Sequence, residues 1–282
     1  MNEAPPVELV GIALEAVQPN GAGVGIVDDA SEGAAMLLGK RVLVGAFDPC
    51  GQCDVCRRGG AAVCPFAKRQ PAGARRRASS RWVVGLEAGL ELPLPAAAAV
   101  AGDVATAYTI YARTGLAPRE PVVILGANAI ARFLVEIVRA KGITPTVIVE
   151  DAAFGDWLLG KGAAVVRSDD ASLPGAVTAA IAAQGVGARP WRVIATEPAA
   201  LHRAAMLAGP RATLTAFAER DAPALPGELV TREVTLIGVA GPHPDLIVEV
   251  AAMCVKGEID LVGGVTTTAG DPTRALVASI TG

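Results

Sequence analysis

The sequence predicts an α/β protein in which a doubly wound parallel sheet accompanies a second, strand-rich region. From about residue 121 to residue 241, compact apolar runs alternate with alanine-rich helical stretches. This rhythm is typical of parallel strands covered by helices on both faces. Residues 1–100 instead contain short β-branched runs broken by Gly and Pro, which favours strands and turns. The strand-rich region also contains four closely spaced cysteines.

The composition is that of a globular protein. The chain has 282 residues, of which 52% are hydrophobic and 19% charged, enough for one large or two modest domains. No apolar run reaches about 18 residues, so we expect no membrane partner. The net charge of −3 gives no reason to expect nucleic acid as a partner. The start, "MNEAPPVEL", is unlike a secretory signal, and we expect a cytoplasmic protein.

The strand-rich region comes first in the chain. Its predicted strands are the runs "VGIV", "KRVLVGAF" and "SRWVVG". A basic run, Arg75–Arg77 followed by Arg81, lies beside the last of them. We interpret this run as a solvated loop, with an anion-binding site as the alternative. The alanine-rich stretch that follows is predicted to become helical from about Val104.

The parallel sheet is predicted to begin with the strand Pro121–Leu125, which ends at Gly126. The helix that follows ends at Gly142. Later strands are "TVIVE", "AAVVR", "RVIAT", "ATLTAFA" and "EVTLIGVAG", separated mostly by helical stretches. The helix is predicted to bury one apolar face, made of Ile130, Phe133, Leu134, Ile137 and Val138.

The four cysteines, Cys50, Cys53, Cys56 and Cys64, have the spacing C-x2-C-x2-C-x7-C. Two disulfides would satisfy them, but structural disulfides are rare in the cytosol. The spacing favours one structural zinc per chain in a lobe at residues 48–66, with an iron–sulfur cluster as the alternative. Four thiolates leave no open coordination position, so this zinc would stabilise structure and take no part in chemistry. The fifth cysteine, Cys254, is predicted to be a buried thiol on a helix.

With these motifs the chain resembles the medium-chain dehydrogenase/reductase (zinc alcohol dehydrogenase) family, as a shortened and degenerate member. The cysteine lobe, preceded by "GKRVLVGAFDP", is similar to the structural zinc loop of that family. "TAYTIYARTGLAPREPVVILG" resembles the hinge helix and first nucleotide strand. The similarity runs from about Gly25 to Gly282, and within the family it is nearest to the dehydrogenases of cyclic hydroxyacyl-CoA thioesters.

The resemblance implies a Rossmann-type dinucleotide-binding domain at residues 104–241. It also implies a split, GroES-like, catalytic-type domain at residues 1–103 and 242–282. Members of the family commonly dimerise through the edge strand of the Rossmann domain. We therefore expect a homodimer, or a hetero-oligomer with an active paralogue, through "EVTLIGVAG".

The resemblance further implies a catalytic zinc, whose ligands are missing here. The family uses an early cysteine, a His-Glu pair and a later cysteine. In this chain no cysteine precedes Cys50, and residues 20–22, Asn-Gly-Ala, stand where Gly-His-Glu is expected. Gly102 and Asp103 stand at the later cysteine. The sequence therefore predicts that the catalytic zinc site is lost and offers no catalytic residues.

The cofactor loop is altered as well. The glycines of a G-x-G-x-x-G fingerprint correspond to Gly126, Asn128 and Ala131. Asn128 is expected to project a side chain into the space of the pyrophosphate, so NAD binding should be weak. Glu150 ends the second strand, where an acid accepts hydrogen bonds from ribose hydroxyls, although it is also compatible with a simple turn. The candidate cofactor-binding residues are Gly126, Ala127, Asn128, Ile130 and Glu150.

Three functions stay open. The first is a catalytically silent, zinc-binding scaffold or partner subunit. The second is an NAD(H)-dependent oxidoreductase that acts without catalytic zinc on a small alcohol, ketone or acyl-CoA substrate. The third is lyase or hydratase chemistry with Asp103 and Glu91, which no base accompanies. The two histidines, His202 and His243, are predicted to be surface or capping residues.

Overall fold

A computed structural model describes residues 8–69, 73–86, 91–217, 227–268, 270 and 274–279. The chain divides into two compact units. The first combines Met1–Thr106 with Pro242–Gly282, and the second is Ala107–Gly241. The dinucleotide-binding role of the second unit and the catalytic-type role of the first stay predictions.

The N-terminal part of the first unit is built mostly from antiparallel strands. Strand β1 pairs with β2 and β6, β2 pairs with β3, and β3 pairs with β7. The sheet curls around a core that includes Val10, Ile12 and Leu14 from alternate positions of β1. The elements are β1 Leu9–Val17, β2 Gly23–Ala30, β3 Arg41–Val44, β4 Phe47–Asp48, α1 Asp54–Arg57, β5 Lys68–Arg69, β6 Arg75–Ser79, β7 Val83–Gly85 and α2 Leu94–Ala99, with 3₁₀ turns at Glu32–Leu37, Ala61–Val63 and Ser80–Trp82.

Three consecutive helical segments cover residues 94–114. Helix α2 runs into a π-helical segment, Val100–Val104, and then into α3, Ala105–Thr114. The alanines of α2 are almost completely buried. Short π-helical segments occur often at functional sites, and this one contains Asp103.

The second unit contains a six-stranded sheet in the order β10-β9-β8-β11-β12-β13, and every neighbouring pair is parallel. This order confirms the predicted doubly wound sheet. The strand order reverses at β8, so the carboxyl ends of β8, β9 and β11 border one crevice. The elements are β8 Val122–Leu125, α4 Ala129–Ala140, β9 Thr146–Val149, α5 Ala152–Gly160, β10 Ala164–Arg167, α6 Leu173–Ala183, β11 Arg192–Ala195, a 3₁₀ turn Pro198–Ala200, α7 Leu201–Leu207, β12 Thr213–Phe217, α8 Glu228–Thr231 and β13 Thr235–Val239.

Helix α4 is buried along most of its length. The side chain of Asn128 caps its N-terminus, and Gly142, at a φ of 76°, reverses the chain after its C-terminus. The predicted apolar face is confirmed, since all five of its members are buried. Arg132 and Glu136 are buried too, which the apolar period did not predict.

The C-terminal part completes the first unit. Strand β16, Ala278–Ser279, pairs with β1 and so extends the antiparallel sheet. Cys254 lies buried on α9, as predicted. None of the helices in the described ranges is long and apolar enough to cross a membrane. The remaining elements are a 3₁₀ turn Pro244–Leu246, α9 Ile247–Val255, α10 Leu261–Gly264, β14 Val265–Thr266, β15 Ala275–Leu276 and β16 Ala278–Ser279.

The basic run is a strand, so its prediction as a solvated loop was wrong. Residues Arg75–Ser79 form β6, which pairs with β1 and alternates exposed and buried side chains. Arg75 lies 2.9 Å from a carboxylate oxygen of Asp28, and an Asp29 carboxylate lies 3.7 Å from Arg77. Acids on β2 thus offset the exposed arginines, and the sheet ladder satisfies their backbone groups.

Candidate functional site

The four cysteine sulfurs of the lobe converge. They lie within 4.8 Å of one another, with 3.6 Å between Cys50 and Cys64 and 3.8 Å between Cys53 and Cys64. A disulfide needs about 2.05 Å between sulfurs, and all four thiols are free. Tetrahedral zinc with Zn–S bonds of about 2.3 Å places its sulfurs about 3.8 Å apart. The donor set therefore fits a structural zinc.

The backbone of the lobe is folded around these sulfurs. The N–H groups of Cys50, Cys53 and Cys56 donate to the sulfurs of Cys64, Cys50 and Cys53, at 3.4–3.5 Å. Gly51 and Gly59 have φ values of 71° and 81°, which residues with side chains rarely adopt. Strands β4 and β5 pair at the base of the lobe. The short spacing of the cysteines is thus matched by the turns that it requires.

The thiols have unequal acidity. Hydrogen bonds from the backbone N–H groups of Gln52 and Cys53 lower the pKa of Cys50 to about 6. Burial raises the pKa of Cys56 to about 12. Zinc binds thiolates and releases their protons, so metal affinity in this lobe should fall as the pH falls.

Contacts within the first unit hold the lobe in place. The indole N–H of Trp82 donates to Pro49 O at 2.9 Å, and the Arg57 side chain donates to Gln52 O at 2.7 Å. The ring nitrogen Nε2 of His243 contacts Gly59 O. His243 thus joins the segment before α9 to the lobe, and among the residues that the structure describes it belongs to no cluster of metal-ligating side chains. His202 is exposed on α7, in agreement with its prediction.

The residues at the positions expected for the catalytic zinc ligands form hydrogen bonds with other groups of the protein. Asn20 Oδ1 accepts from the N–H of Ala22 at 2.9 Å, which forms a tight turn. Asp103 Oδ2 accepts from Gln18 Nε2 at 2.7 Å, and the N–H of Asp103 donates to Gln18 Oε1 at 3.2 Å. In the part of the chain that the structure describes, the cysteine lobe is the only cluster of three or more metal-ligating side chains. These residues therefore do not fit a second zinc.

Two buried polar residues at this turn were missed by sequence reasoning. Gln18 is only 1% exposed, and a Cβ atom on Gly102 would overlap its amide oxygen. Arg76 is 5% exposed and donates to Gly21 O at 2.9 Å. Burial lowers the pKa of Arg76 to about 10, against the opposing attraction of Asp48. Arg76 is the middle one of three consecutive arginines, and successive residues of a strand face opposite sides of a sheet. This position was the signal in the sequence that the side chain of Arg76 could be buried while its two neighbours are exposed.

The altered glycine of the cofactor loop is a helix cap. Asn128 Oδ1 accepts from the N–H of Ala131 at 2.8 Å, and Asn128 Nδ2 donates to Thr196 O at 2.9 Å. The side chain therefore occupies one N–H donor, that of Ala131, at the N-terminus of α4. In doubly wound folds the N-terminus of this kind of helix is where phosphate groups bind. Gly126 has a φ of 130°, and a Cβ atom there would overlap Thr196 Oγ1. The loop needs glycine at this position.

A cavity of about 270 Å³ lies at the carboxyl ends of β8, β9 and β11. Three of the predicted cofactor residues, Gly126, Ala127 and Glu150, line it. Asn128 faces its own helix instead, and Ile130 is buried on α4. The cavity also includes Glu197, His202 and Arg203, and Arg203 Nη1 lies 3.1 Å from Glu150 Oε1.

A doubly wound sheet, an antiparallel sheet and a four-cysteine lobe together define the fold of the zinc-dependent alcohol dehydrogenases. No protein-family model matches the sequence, and no curated protein matches it either. Solved structures of dehydrogenases do match the chain.

The chain is similar to the alcohol dehydrogenase TADH from Thermus sp. ATN1, with 17% identity and a TM-score of 0.79 over 94% of this chain and 86% of that one. It is also similar to an alcohol dehydrogenase from E. coli CFT073 complexed with NADH, with 14% identity and a TM-score of 0.78 over 99% and 94% of the two chains. A zinc-binding dehydrogenase from Sinorhizobium meliloti 1021 bound to NADP shares 16% identity and a TM-score of 0.76 over 99% and 93%. At these identities the likeness establishes the fold alone.

Proposed function

We propose that the protein is a zinc-stabilised scaffold or partner subunit with an alcohol dehydrogenase fold and no zinc-dependent alcohol oxidation. One observation carries the proposal. Asp103, the one carboxylate at the expected catalytic zinc ligands, pairs with buried Gln18, and the neighbouring turn has no imidazole or thiol. A metal-ligating set is therefore missing at the point where the resemblance implies one.

The absence of a catalytic zinc would prevent zinc-dependent alcohol oxidation for a chemical reason. Hydride transfer to or from a carbonyl changes the charge on its oxygen, and that charge must be stabilised in the transition state. Loss of a single oxyanion donor costs about 10²–10³-fold in rate. A Lewis-acid metal provides at least as much stabilisation.

The proposal includes one structural zinc per chain on the four cysteines of the lobe. When bound, zinc would cross-link the four thiolates and stabilise the local fold. The four reduced thiols also suit a cytoplasmic location, because that compartment keeps thiols reduced.

The expected partner is a second copy or an active paralogue. Among the strands that the structure describes, β13 is an edge of the parallel sheet. The backbone groups along an edge strand can pair with a strand of another chain. Leu236 on this strand is 49% exposed. We propose a dimer through β13, which light scattering of the purified protein would detect.

A second candidate is an NAD(H)-dependent oxidoreductase that works without catalytic zinc. The cavity beside Gly126 and Glu150 favours it, because it lies at the crevice where doubly wound sheets bind nucleotides. The capped helix argues against tight dinucleotide binding, and we therefore rank this candidate second.

An NAD-linked assay across short alcohols and cyclic hydroxyacyl-CoA thioesters, with and without a chelator, tests the proposal. We expect no turnover above background. Turnover that a chelator abolishes would overturn the proposal, because a labile zinc would then be catalytic. Turnover that survives the chelator would favour the second candidate.

A further inference from the structure

We propose that the guanidinium of Arg76 binds the carboxylate of a small organic acid, at the turn where the family resemblance implies the catalytic zinc. Gly21 stands at the position of the expected histidine ligand, and its carbonyl oxygen accepts from Arg76 Nη1 at 2.9 Å. The protein therefore holds a permanent positive charge beside the position of a missing metal ligand. Such a site goes beyond the proposed scaffold role and does not depend on it, because binding of an acid requires no turnover.

Arg76 is a buried charge whose hydrogen-bond donors are only partly used. The residue is 5% exposed, and its Nη1 donates to Gly21 O. Neither Nε nor Nη2 has a hydrogen-bond partner among the described residues, although both atoms are buried. Burial of a charged group without hydrogen bonds is costly, so such groups are normally paired. These two nitrogens are therefore the donors that a ligand would satisfy.

The two nitrogens without partners form one edge of the planar guanidinium. The N–H groups of Nε and Nη2 on this edge are parallel, and their spacing matches the two oxygens of a carboxylate. The chain itself uses this edge twice. Arg41 donates from Nε and Nη2 to the two oxygens of Glu15, at 2.8 and 3.0 Å, and Arg192 donates likewise to Glu120, at 3.1 and 3.2 Å. The edge of Arg76 is complementary to the same planar group, supplied by a ligand.

The charges around Arg76 are not balanced. Among the described residues, Asp48 provides the one carboxylate whose charge attracts Arg76. The Oδ1 atom of Asp48 accepts from the N–H of Ser79 at 3.1 Å, so this carboxylate is held by the backbone of β6. Lys68 attracts the same carboxylate. Two cations thus share one anion, and a bound carboxylate would make the group neutral.

The burial of the guanidinium favours a small ligand. Both nitrogens are shielded from solvent, so an acid reaches them only when the chain opens locally. The turn at Gly21 is the nearest such place, because Pro19 on it is exposed while Gly21 O contacts Arg76 directly. A limited opening of this turn admits an acid of a few carbon atoms more easily than a large one.

NMR spectroscopy of the full-length protein with ¹⁵N-labelled arginine tests the inference. Titration with sodium acetate should shift the Nε–H signal of Arg76 saturably. Sodium chloride at the same concentration should shift it at least about fivefold less, because a single ion lacks the two oxygens that match the edge. No shift with acetate, or an equal shift with chloride, would overturn the inference, since the donors would then be satisfied by water or by any anion.

Arg76→Lys separates the planar edge from the charge, because lysine keeps the charge but has no fixed pair of donors. Acetate should raise the Tm of the wild-type protein, since a ligand of the folded state stabilises it. The acetate concentration that gives the same rise should be about tenfold higher for Arg76→Lys.

Arg75→Lys is the matched control, because Arg75 is the neighbour of Arg76 on β6 and lies in an exposed pair with Asp28. This variant should respond to acetate like the wild-type protein. Equal responses of Arg76→Lys and the wild-type protein would contradict the role of Nε and Nη2. If Arg76→Lys does not fold, the NMR titration of the wild-type protein decides alone.

Discussion

The cysteine lobe and the turn at residues 20–22 belong to the same unit, yet their donor atoms are arranged in opposite ways. In the lobe, four sulfurs converge within 4.8 Å, and backbone N–H groups are directed at three of them. At the turn, Asn20 and Asp103 are each bonded to another protein group. The comparison teaches that separate side chains position the two sets of donor atoms, so the lobe can offer four converging sulfurs to a metal although the groups beside the turn are already hydrogen-bonded to the protein.

The largest expected effect is that of Cys53→Ser. It removes a proposed zinc ligand and the sulfur that caps α1. The binding of structural zinc contributes about 10–16 kcal/mol in small zinc domains. We expect loss of zinc and of amide protection in the lobe, measured by metal analysis and hydrogen exchange. The parallel sheet should stay protected. Cys254→Ala is the control, because Cys254 lies on α9, outside the lobe, and the variant protein should keep its zinc. Retention of zinc by Cys53→Ser would contradict the assignment.

Gly102→Ala tests the turn side of the comparison. The added methyl group would overlap the amide oxygen of Gln18, and overpacking of this kind costs about 1–3 kcal/mol of unfolding free energy. In a Gln18→Ala background the cost should largely disappear, which urea denaturation of the double-mutant cycle would show. Gly45→Ala is the control, because its methyl group would meet nothing within 4 Å. Equal costs in both backgrounds would mean that Gln18 does not fill this space.

Asn128 tests the cofactor loop. Asn128→Ala should lower the unfolding free energy by about 1 kcal/mol through loss of the cap, whereas Asn128→Gly should cost only a few tenths. Asn128→Gly should also strengthen NAD⁺ binding, because a donor of α4 becomes available. Thermal denaturation and calorimetry measure the two effects. If NAD⁺ affinity does not change, the loop conformation and not the side chain limits binding.

The smallest effect is expected from Glu120, which lies outside both sites. Burial raises the pKa of this carboxyl, but the N–H of Ala117 and the guanidinium of Arg192 outweigh burial and lower it overall. A lowered pKa in the folded state stabilises the protein above the unfolded pKa, and the contribution is lost as the pH falls through the folded pKa. Glu120→Gln should therefore cost about 0.5–1 kcal/mol at pH 7 and less in acid. Glu233→Gln is the control, because Glu233 lies in an exposed, 4.0 Å pair with Arg211. If the unfolding free energies of the two variants depend on pH in the same way, Arg192 does not lower the pKa of Glu120.

The sequence could predict the parallel sheet because its strands and helices have clear apolar periods. The face of α4 with Phe133 and Ile137 was recognised in this way. Strand β1 was missed although Val10, Ile12 and Leu14 alternate inward, and β6 was missed because its charges suggested a loop. Local charge does not reveal that a neighbouring strand carries acids.

The candidate site was predictable only where its residues are close in sequence. Cysteines within 15 residues had to be near one another in space, so the lobe was recognisable from spacing alone. Gln18 and Asp103 are separated by 85 positions, and no local pattern joins them. Glu197 likewise reaches the loop at Gly126 only through the parallel pairing of β8 and β11.

The central claim is that the protein retains one metal centre and has lost the other. The most direct test is the zinc content of carefully reduced, full-length protein, determined by elemental analysis against an amino-acid count. The account predicts one zinc per chain, which Cys53→Ser abolishes. Two zincs per chain, or a zinc that survives in Cys53→Ser, would contradict it.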